Sequence, residues 1–287
     1  MQESIPIQLV ECPRDAMQGW PHLIPTEKKI AYLNALLQVG FHTLDFGSFV
    51  STKAIPQMAD TKEVLEGLEL GNTNTKLLAI VANERGAAEA VQYDIISYLG
   101  FPFSISETFQ KRNTNSSISE SLERVSAIQQ HCQQHKKELV IYLSMGFGNP
   151  YGDAYNEDIL LHWASEMVER GIKILSLADT VGLATPEQIS FALNTLQPQY
   201  PDIDFGVHLH ATAGNWQPKL EAAINAGCRR IDGALLGIGG CPMAGNDLVG
   251  NMNTDWILSS LEASGIETGI NREAYQHCVQ LAKQVFV

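Results

Sequence analysis

Two histidines one residue apart, His208-Leu209-His210, close an apolar run late in the chain. Side chains two apart on a β-strand leave the same face, so both imidazoles can aim at one ion. A satisfied pair in a core would show the same spacing. Asp15, just past the first apolar run, adds a carboxylate, and one carboxylate with two imidazoles makes a facial set that leaves positions open for substrate oxygens. Asn251, in Gly250-Asn251-Met252-Asn253-Thr254, offers a hard amide oxygen as a fourth donor; its other reading is a turn residue that opens a helix. Oxygen and imidazole donors without thiolate suit Mg²⁺ or Mn²⁺ in octahedral geometry rather than structural Zn²⁺. Such an ion acts as a Lewis acid and lowers the pKa of an oxygen bound to it.

These residues can meet only if the chain brings residue 15 beside residues 208–251. Eight short apolar runs, at 7–11, 43–46, 76–81, 95–101, 138–144, 172–177, 205–210 and 230–235, alternate with helix-period segments. That alternation predicts βα units and a parallel sheet. Helices are expected over 27–37, 120–134, 185–196, opened by Thr185-Pro186-Glu187, and 218–226, ended by Gly227. Eight repeats close a (β/α)8 TIM barrel, and a further helical segment follows at the C-terminus. An open doubly wound sheet would place a GxGxxG turn after the first strand. Here that position reads Glu11-Cys12-Pro13-Arg14-Asp15. A barrel fills ~250 residues, so residues 1–287 are expected to form a single catalytic domain. Its active site belongs at the C-terminal ends of the strands, where the βα loops surround the mouth.

Composition narrows the classes of partner. Hydrophobic residues make up 45% of the chain, yet no apolar run approaches the ~18 residues of a membrane span. The first ten residues lack the basic start and apolar stretch of a secretory signal. A cytoplasmic protein without membrane or nucleic-acid partners is the expectation. The formal net charge of −13 points the same way, since it repels polyanions and obliges any anionic substrate to find local cations. Cys12, Cys132, Cys228, Cys241 and Cys278 form no CxxC pair and are read as thiols.

Longer motifs carry a resemblance to one family. Val10-Glu11-Cys12-Pro13-Arg14-Asp15-Ala16-Met17-Gln18, Ser48-Phe49-Val50-Ser51-Thr52-Lys53 with Pro56-Gln57-Met58, and Gly237-Ile238-Gly239-Gly240-Cys241-Pro242 resemble the matching segments of the 3-hydroxy-3-methylglutaryl-CoA lyases. Ser106-Glu107-Thr108-Phe109 with Asn113, Gly146-Phe147-Gly148-Asn149-Pro150-Tyr151, and Ala178-Asp179-Thr180-Val181-Gly182 extend the likeness over nearly the whole chain. The resemblance implies divalent-metal-dependent retro-Claisen cleavage of 3-hydroxy-3-methylglutaryl-CoA to acetyl-CoA and acetoacetate, as in leucine degradation and ketone-body formation. It implies a metal held by Asp15, His208, His210 and Asn251. Arg14, Cys241, His208 and Asp179 would act in catalysis, with Gln18 and Asp45 lining the site. A homodimer is compatible with it.

The chemistry agrees with those residue types. Arg14 carries a permanent planar fork of donors suited to a developing enolate oxygen, the alternative being a rim salt bridge. Adjacent strand residues point oppositely, so Arg14 and Asp15 serve one site only if the chain turns there. Cys241 follows two glycines and could protonate the departing enolate; a small buried hydrophobe is the ordinary fate of a cysteine, and is the reading kept for Cys12, Cys132 and Cys228. Asp45 and Asp179 could orient substrate or a histidine, or cap helices. Lys111, Arg112 and Asn113 could meet the acyl-CoA phosphates or form an exposed charge cluster.

Three departures from the family stand out. Asp45 replaces the usual Glu, Ala211 replaces an Asp common after the second histidine, and the loop before Asn251 is one residue longer, which leaves Asn246 as a rival ligand. Competing functions on the same scaffold are a Claisen-type acyltransferase, a 2-oxo-acid aldolase and a non-catalytic CoA-binding barrel.

Overall fold

Eight parallel strands carry the molecule: β1 (Gln8–Glu11), β2 (Thr43–Ser48), β3 (Lys76–Ile80), β4 (Ile96–Ser104), β5 (Glu138–Ser144), β6 (Ile174–Ala178), β7 (Asp204–His208) and β8 (Arg230–Gly233). Each pairs with the next, and β8 pairs with β1 to close a barrel in this computed structural model, which describes residues 7–240 and 249–287. The strands read as nearly continuous apolar runs because a parallel barrel buries both strand faces; all six residues after Glu138 in β5 are buried. The expected (β/α)8 architecture is the one observed.

The described residues form eleven α-helices. They are α1 (Pro13–Gln18), α2 (Thr26–Leu37), α3 (Thr61–Glu66), α4 (Glu84–Ala90), α5 (Glu107–Thr114), α6 (Ile118–Gln134), α7 (Glu157–Glu169), α8 (Pro186–Gln199), α9 (Trp216–Asn225), α10 (Thr254–Ala263) and α11 (Arg272–Val285). Local chemistry sets several ends. Thr185 and Gln188 form a capping box at the start of α8, with Pro186 in the first turn where its missing N–H costs nothing. Helix α9 opens two residues before the expected start, because Pro218 is tolerated within a first turn, and Gly227 follows its end at φ +82°. Helix α11 is the extra C-terminal segment and packs on α2, with Phe286 edge-on to Trp20 and Tyr32.

Two strand ends depart from the sequence reading, each for a physical reason. Strand β4 continues through Pro102 to Ser104, although proline lacks a ladder donor. Strand β3 ends at Ile80, opposite Gly100, so Pro102 lies above the last β3 pairing and no bond is lost there. Strand β7 stops at His208, and His210 instead forms an isolated antiparallel bridge with Asn251. In β2 the register slips between Asp45 and Gly47, a bulge of the kind that re-aims side chains near active sites.

Closure depends on a buried carboxyl. Gln8 to Glu11 pair in register with Arg230 to Gly233, and Glu11 at the top of β1 bonds the Leu235 N–H at 2.7 Å and Thr254 Oγ1 at 2.6 Å. This ties β1 to the segment after β8 and to the start of α10. Burial pushes Glu11 up to about 8 from 4.5, against the lowering effect of those two hydrogen bonds. Between these values the folded state holds a proton that the unfolded chain releases, so this group's contribution to stability falls as pH rises from about 4.5 through about 8. Glutamine reproduces the protonated form: its oxygen accepts from Leu235 and its amide donates to Thr254. Glu11→Gln should therefore gain melting temperature relative to the parent by roughly several degrees between pH 5 and pH 8. A difference independent of pH in calorimetric scans would refute the assignment.

Candidate active site

At the C-terminal end of the barrel the strands and loops enclose a cavity of about 540 Å³. Arg14, Asp15, Gln18, Asp45, His208 and His210 border it on one side, Arg112 and Asn113 on another. The first of these owe their convergence to α1. Pro13 starts a helix immediately after β1, so Arg14 and Asp15 occupy one helical turn rather than opposite faces of a strand. This is the turn the sequence required.

Arg14 is the hub of a buried polar network. Its Nε donates to Asp45 Oδ1 and Oδ2 at 3.2 and 3.0 Å and its Nη2 to Asp45 Oδ2 at 2.6 Å. Its Nη1 donates to Asp15 Oδ1 at 3.1 Å and to Gln18 Oε1 at 2.8 Å. Of the five guanidinium N–H groups, Nε–H, one on Nη2 and both on Nη1 are thus engaged by described residues, leaving one on Nη2. Burial opposes the guanidinium charge, but Asp45 and Asp15 outweigh it and raise the pKa further. Burial also presses on Asp15, yet Arg14 and His208 hold it down at about 2. Burial outweighs Arg14 at Asp45, which is pushed up to about 6 and so remains a carboxylate above neutral pH.

Asp15, His208 and His210 bring three ligand atoms within 4.8 Å of one another. The two Nε2 atoms of the histidines face each other at 3.3 Å. Two imidazole lone pairs at that separation need a proton or a cation between them. Burial and the neighbouring His208 lower His210 to about 3, which keeps its ring neutral and its lone pair available. Asn251 is nearly fully buried; its Nδ2 donates to Asp15 Oδ2 at 2.7 Å and to Ile238 O at 3.0 Å, while its Oδ1 has no partner among the described residues. A buried amide oxygen without a partner is costly. A cation held jointly by Asp15, the imidazoles and Asn251 Oδ1 would satisfy it, and the all-oxygen and imidazole donor set fits a hard divalent ion. The bridge of His210 to Asn251, with Ala211 N–H on Gly250 O and Met252 N–H on Leu209 O, is what carries Asn251 to the centre.

Some expected residues lie elsewhere. Asp179 does not border the cavity: Lys219 Nζ donates to its Oδ2 at 2.7 Å and Ala184 N–H to its Oδ1 at 2.9 Å. Lys219 also donates to His210 O at 3.0 Å, so the Asp179 carboxyl is linked to the histidine segment through Lys219, while the Asp179 backbone N–H donates directly to His208 O at 2.9 Å. It is neither a helix cap nor in contact with the cavity, because the turn after β6 folds its carboxyl back toward α9. Lys111 points to solvent and pairs with Glu107 one turn earlier on α5, while Arg112 lies over the Tyr151 ring at 4.6 Å and borders the cavity. Helical geometry separates the two cations by about 100°. Cys241 and Asn246 lie outside the described residues. Cys12, Cys132, Cys228 and Cys278 are buried free thiols.

Sequence reasoning passed over three polar side chains that support the site. Lys219 is nearly fully buried in α9, Tyr142 of β5 stands edge-on to His208, and Asp232 of β8 accepts from His208. Only Asp232 carried a signal: charged residues at 230 and 232 alternate in an otherwise apolar strand and so face the barrel interior together.

Known proteins resemble the chain throughout. It is 34% identical over 261 residues to the hydroxymethylglutaryl-CoA lyase YngG of Bacillus subtilis, covering 91% of this chain and 86% of that protein. It is 32% identical over 268 residues to the cytoplasmic 3-hydroxy-3-methylglutaryl-CoA lyase of Danio rerio, covering 92% and 78%. Among solved structures, an HMG-CoA lyase from Acinetobacter baumannii in complex with coenzyme A and 3-methylmalate superposes with a TM-score of 0.90 at 29% identity, covering 98% of this chain and 91% of that one. The family model described as HMGL-like matches residues 7–282, and the chain belongs to that family.

Proposed function

We propose that this protein is a carbon–carbon lyase that cleaves 3-hydroxy-3-methylglutaryl-CoA to acetyl-CoA and acetoacetate. The observation that carries this reading is the meeting of Arg14, Asp15, His208 and His210 on one wall of the cavity in a chain of the HMGL-like family. The chain acts as one catalytic domain, and the likeness to a relative named as cytoplasmic supports a location in the cytoplasm. The Acinetobacter relative was solved with coenzyme A bound, which supports an acyl-CoA substrate for the cavity here.

Cleavage removes the proton of the tertiary alcohol, breaks the adjacent carbon–carbon bond as the alcohol carbon becomes the ketone of acetoacetate, and leaves a thioester enolate that is protonated on carbon. Asp15, His208, His210 and Asn251 would hold a divalent ion, Mg²⁺ or Mn²⁺. When bound, it supplies Lewis acidity at the substrate's oxygens. Arg14 faces the cavity with one free N–H and a fork held rigid by Asp45 and Asp15, which suits it to a developing enolate oxygen. Gln18 holds the same fork from its Nη1 side. His208 has Nδ1 on Asp232 and Nε2 toward His210, so the metal and a substrate proton compete for one nitrogen, and we assign it to the metal. Arg112 and Asn113 also border the cavity, which supports a role for them in binding the acyl-CoA. Cys241 is assigned the enolate proton on resemblance.

Purified protein given 3-hydroxy-3-methylglutaryl-CoA and Mg²⁺ should release acetoacetate, lose that activity with chelator and regain it with the metal. No cleavage by folded, metal-loaded protein would remove the function.

Ligand identity has its own measurement. Asp15→Ala and Asn251→Ala should weaken Mn²⁺ binding in calorimetry by at least about tenfold, the lower range for supporting groups of metal sites, while Asn246→Ala leaves it unchanged. Loss confined to Asn246→Ala would reverse the fourth ligand.

Chemistry and binding should separate at two positions. Arg14→Lys and Cys241→Ser are expected to bind Mn²⁺ and acyl-CoA but to lose turnover by roughly 10²–10⁴-fold, because an ammonium cannot reproduce the guanidinium fork and a hydroxyl is a far weaker acid than a thiol. Near-parental turnover in either variant would dismiss that residue's role.

A further inference from the structure

We propose that Asp232 is a positioning residue for His208: it accepts the Nδ1 proton, fixes the ring's tautomer and turns Nε2 toward Asp15 and His210. The proposal rests on the metal reading of that centre given above.

His208 Nδ1 and Asp232 Oδ2 are 3.1 Å apart. An ionised carboxylate only accepts hydrogen bonds, so the imidazole must donate. The proton is thereby placed on Nδ1, so in the neutral ring the lone pair is on Nε2, the nitrogen that faces His210 Nε2 at 3.3 Å. Ligating histidines commonly donate their second N–H in this way, which orients the ring and raises its basicity. Tyr142 adds a steric constraint, standing edge-on to His208 with ring centroids 5.7 Å apart and an interplanar angle of 83°.

The carboxyl has no other use in view. The Asp232 side chain is fully buried, its Oδ1 has no partner among the described residues, and it does not border the cavity. A buried carboxylate with one hydrogen bond is expensive to retain for stability alone. Strand β8 also carries Arg230, itself fully buried, two residues earlier on the same inward face. Cys12, His208 and Asp232 form a second group of three, with ligand atoms within 4.8 Å of one another. Neither Cys12 nor Asp232 borders the cavity, and an ion bound through Nδ1 would compete with the hydrogen bond to Asp232.

The ¹⁵N shifts of His208 in the metal-free full chain, identified by comparison with His208→Gln, provide the test. Nδ1 should show a protonated, pyrrole-type shift, and Mg²⁺ should displace the Nε2 signal and spare Nδ1. An unprotonated Nδ1, or an Nδ1 signal displaced by Mg²⁺, overturns the proposal without any variant at position 232. In Asp232→Asn the amide offers a donor as readily as an acceptor, so Nε2 should become protonated in part of the population and Mn²⁺ affinity should fall about 10–100-fold. Parental Mn²⁺ affinity and an unchanged tautomer in Asp232→Asn, alongside loss of binding in Asp15→Ala, would sink the positioning role alone. Undiminished binding in both Asp15→Ala and His210→Ala would remove the metal reading and this role with it.

Discussion

The pairing of β1 with β8 is the constraint on which the site depends. Residues 15 and 208 to 251 are remote in sequence, and they share a centre only because Gln8–Glu11 lies in register beside Arg230–Gly233. Glu11 secures that seam with bonds to Leu235 and Thr254. The chain then turns at Pro13 into α1 and delivers Arg14 and Asp15 to the mouth. On the other side of the seam, His210 and Asn251 bridge each other and hold the segment that follows β8 against the end of β7. A shift of β1 by one residue would invert its faces and send these groups to opposite sides.

An acidic chain has solved the placement of charge by pairing within the barrel. Arg14 between Asp45 and Asp15, Lys219 on Asp179, and His208 on Asp232 are all buried or nearly so. Buried pairs contribute little net stability, because desolvation offsets most of the attraction. Their value here is geometric. Arg14 is held by four of its five N–H groups, Lys219 fixes the backbone of His210, and Asp232 directs the ring of His208. A centre whose side chains are fixed before substrate arrives needs less reorganisation during the reaction.

The replacement of the family's usual Glu by Asp45 is accommodated in the same way. Asp45 sits beside a register slip in β2 and still reaches both Nε and Nη2 of Arg14. Bulges redirect side chains near active sites, and here the bulge lies next to the shortened carboxylate.

Much of this was legible in the residue order. Apolar runs of strand length separated by helix-period segments predicted a parallel sheet, and eight of them, with no glycine-rich turn after the first, predicted a closed barrel. The spacing of His208 and His210, and Asp15 after the first strand, marked a candidate metal centre before any contact was known. What only the tertiary structure decided were directions. Asp179 and Lys111 stood in the right loops but point away, one to Lys219 and the other to solvent. Asp232 and Lys219 lie in or near the site although no motif names them. Sequence period specifies which face of an element a side chain leaves from. The partner it meets across the barrel depends on strand register and loop turns, set by packing among residues hundreds of positions apart.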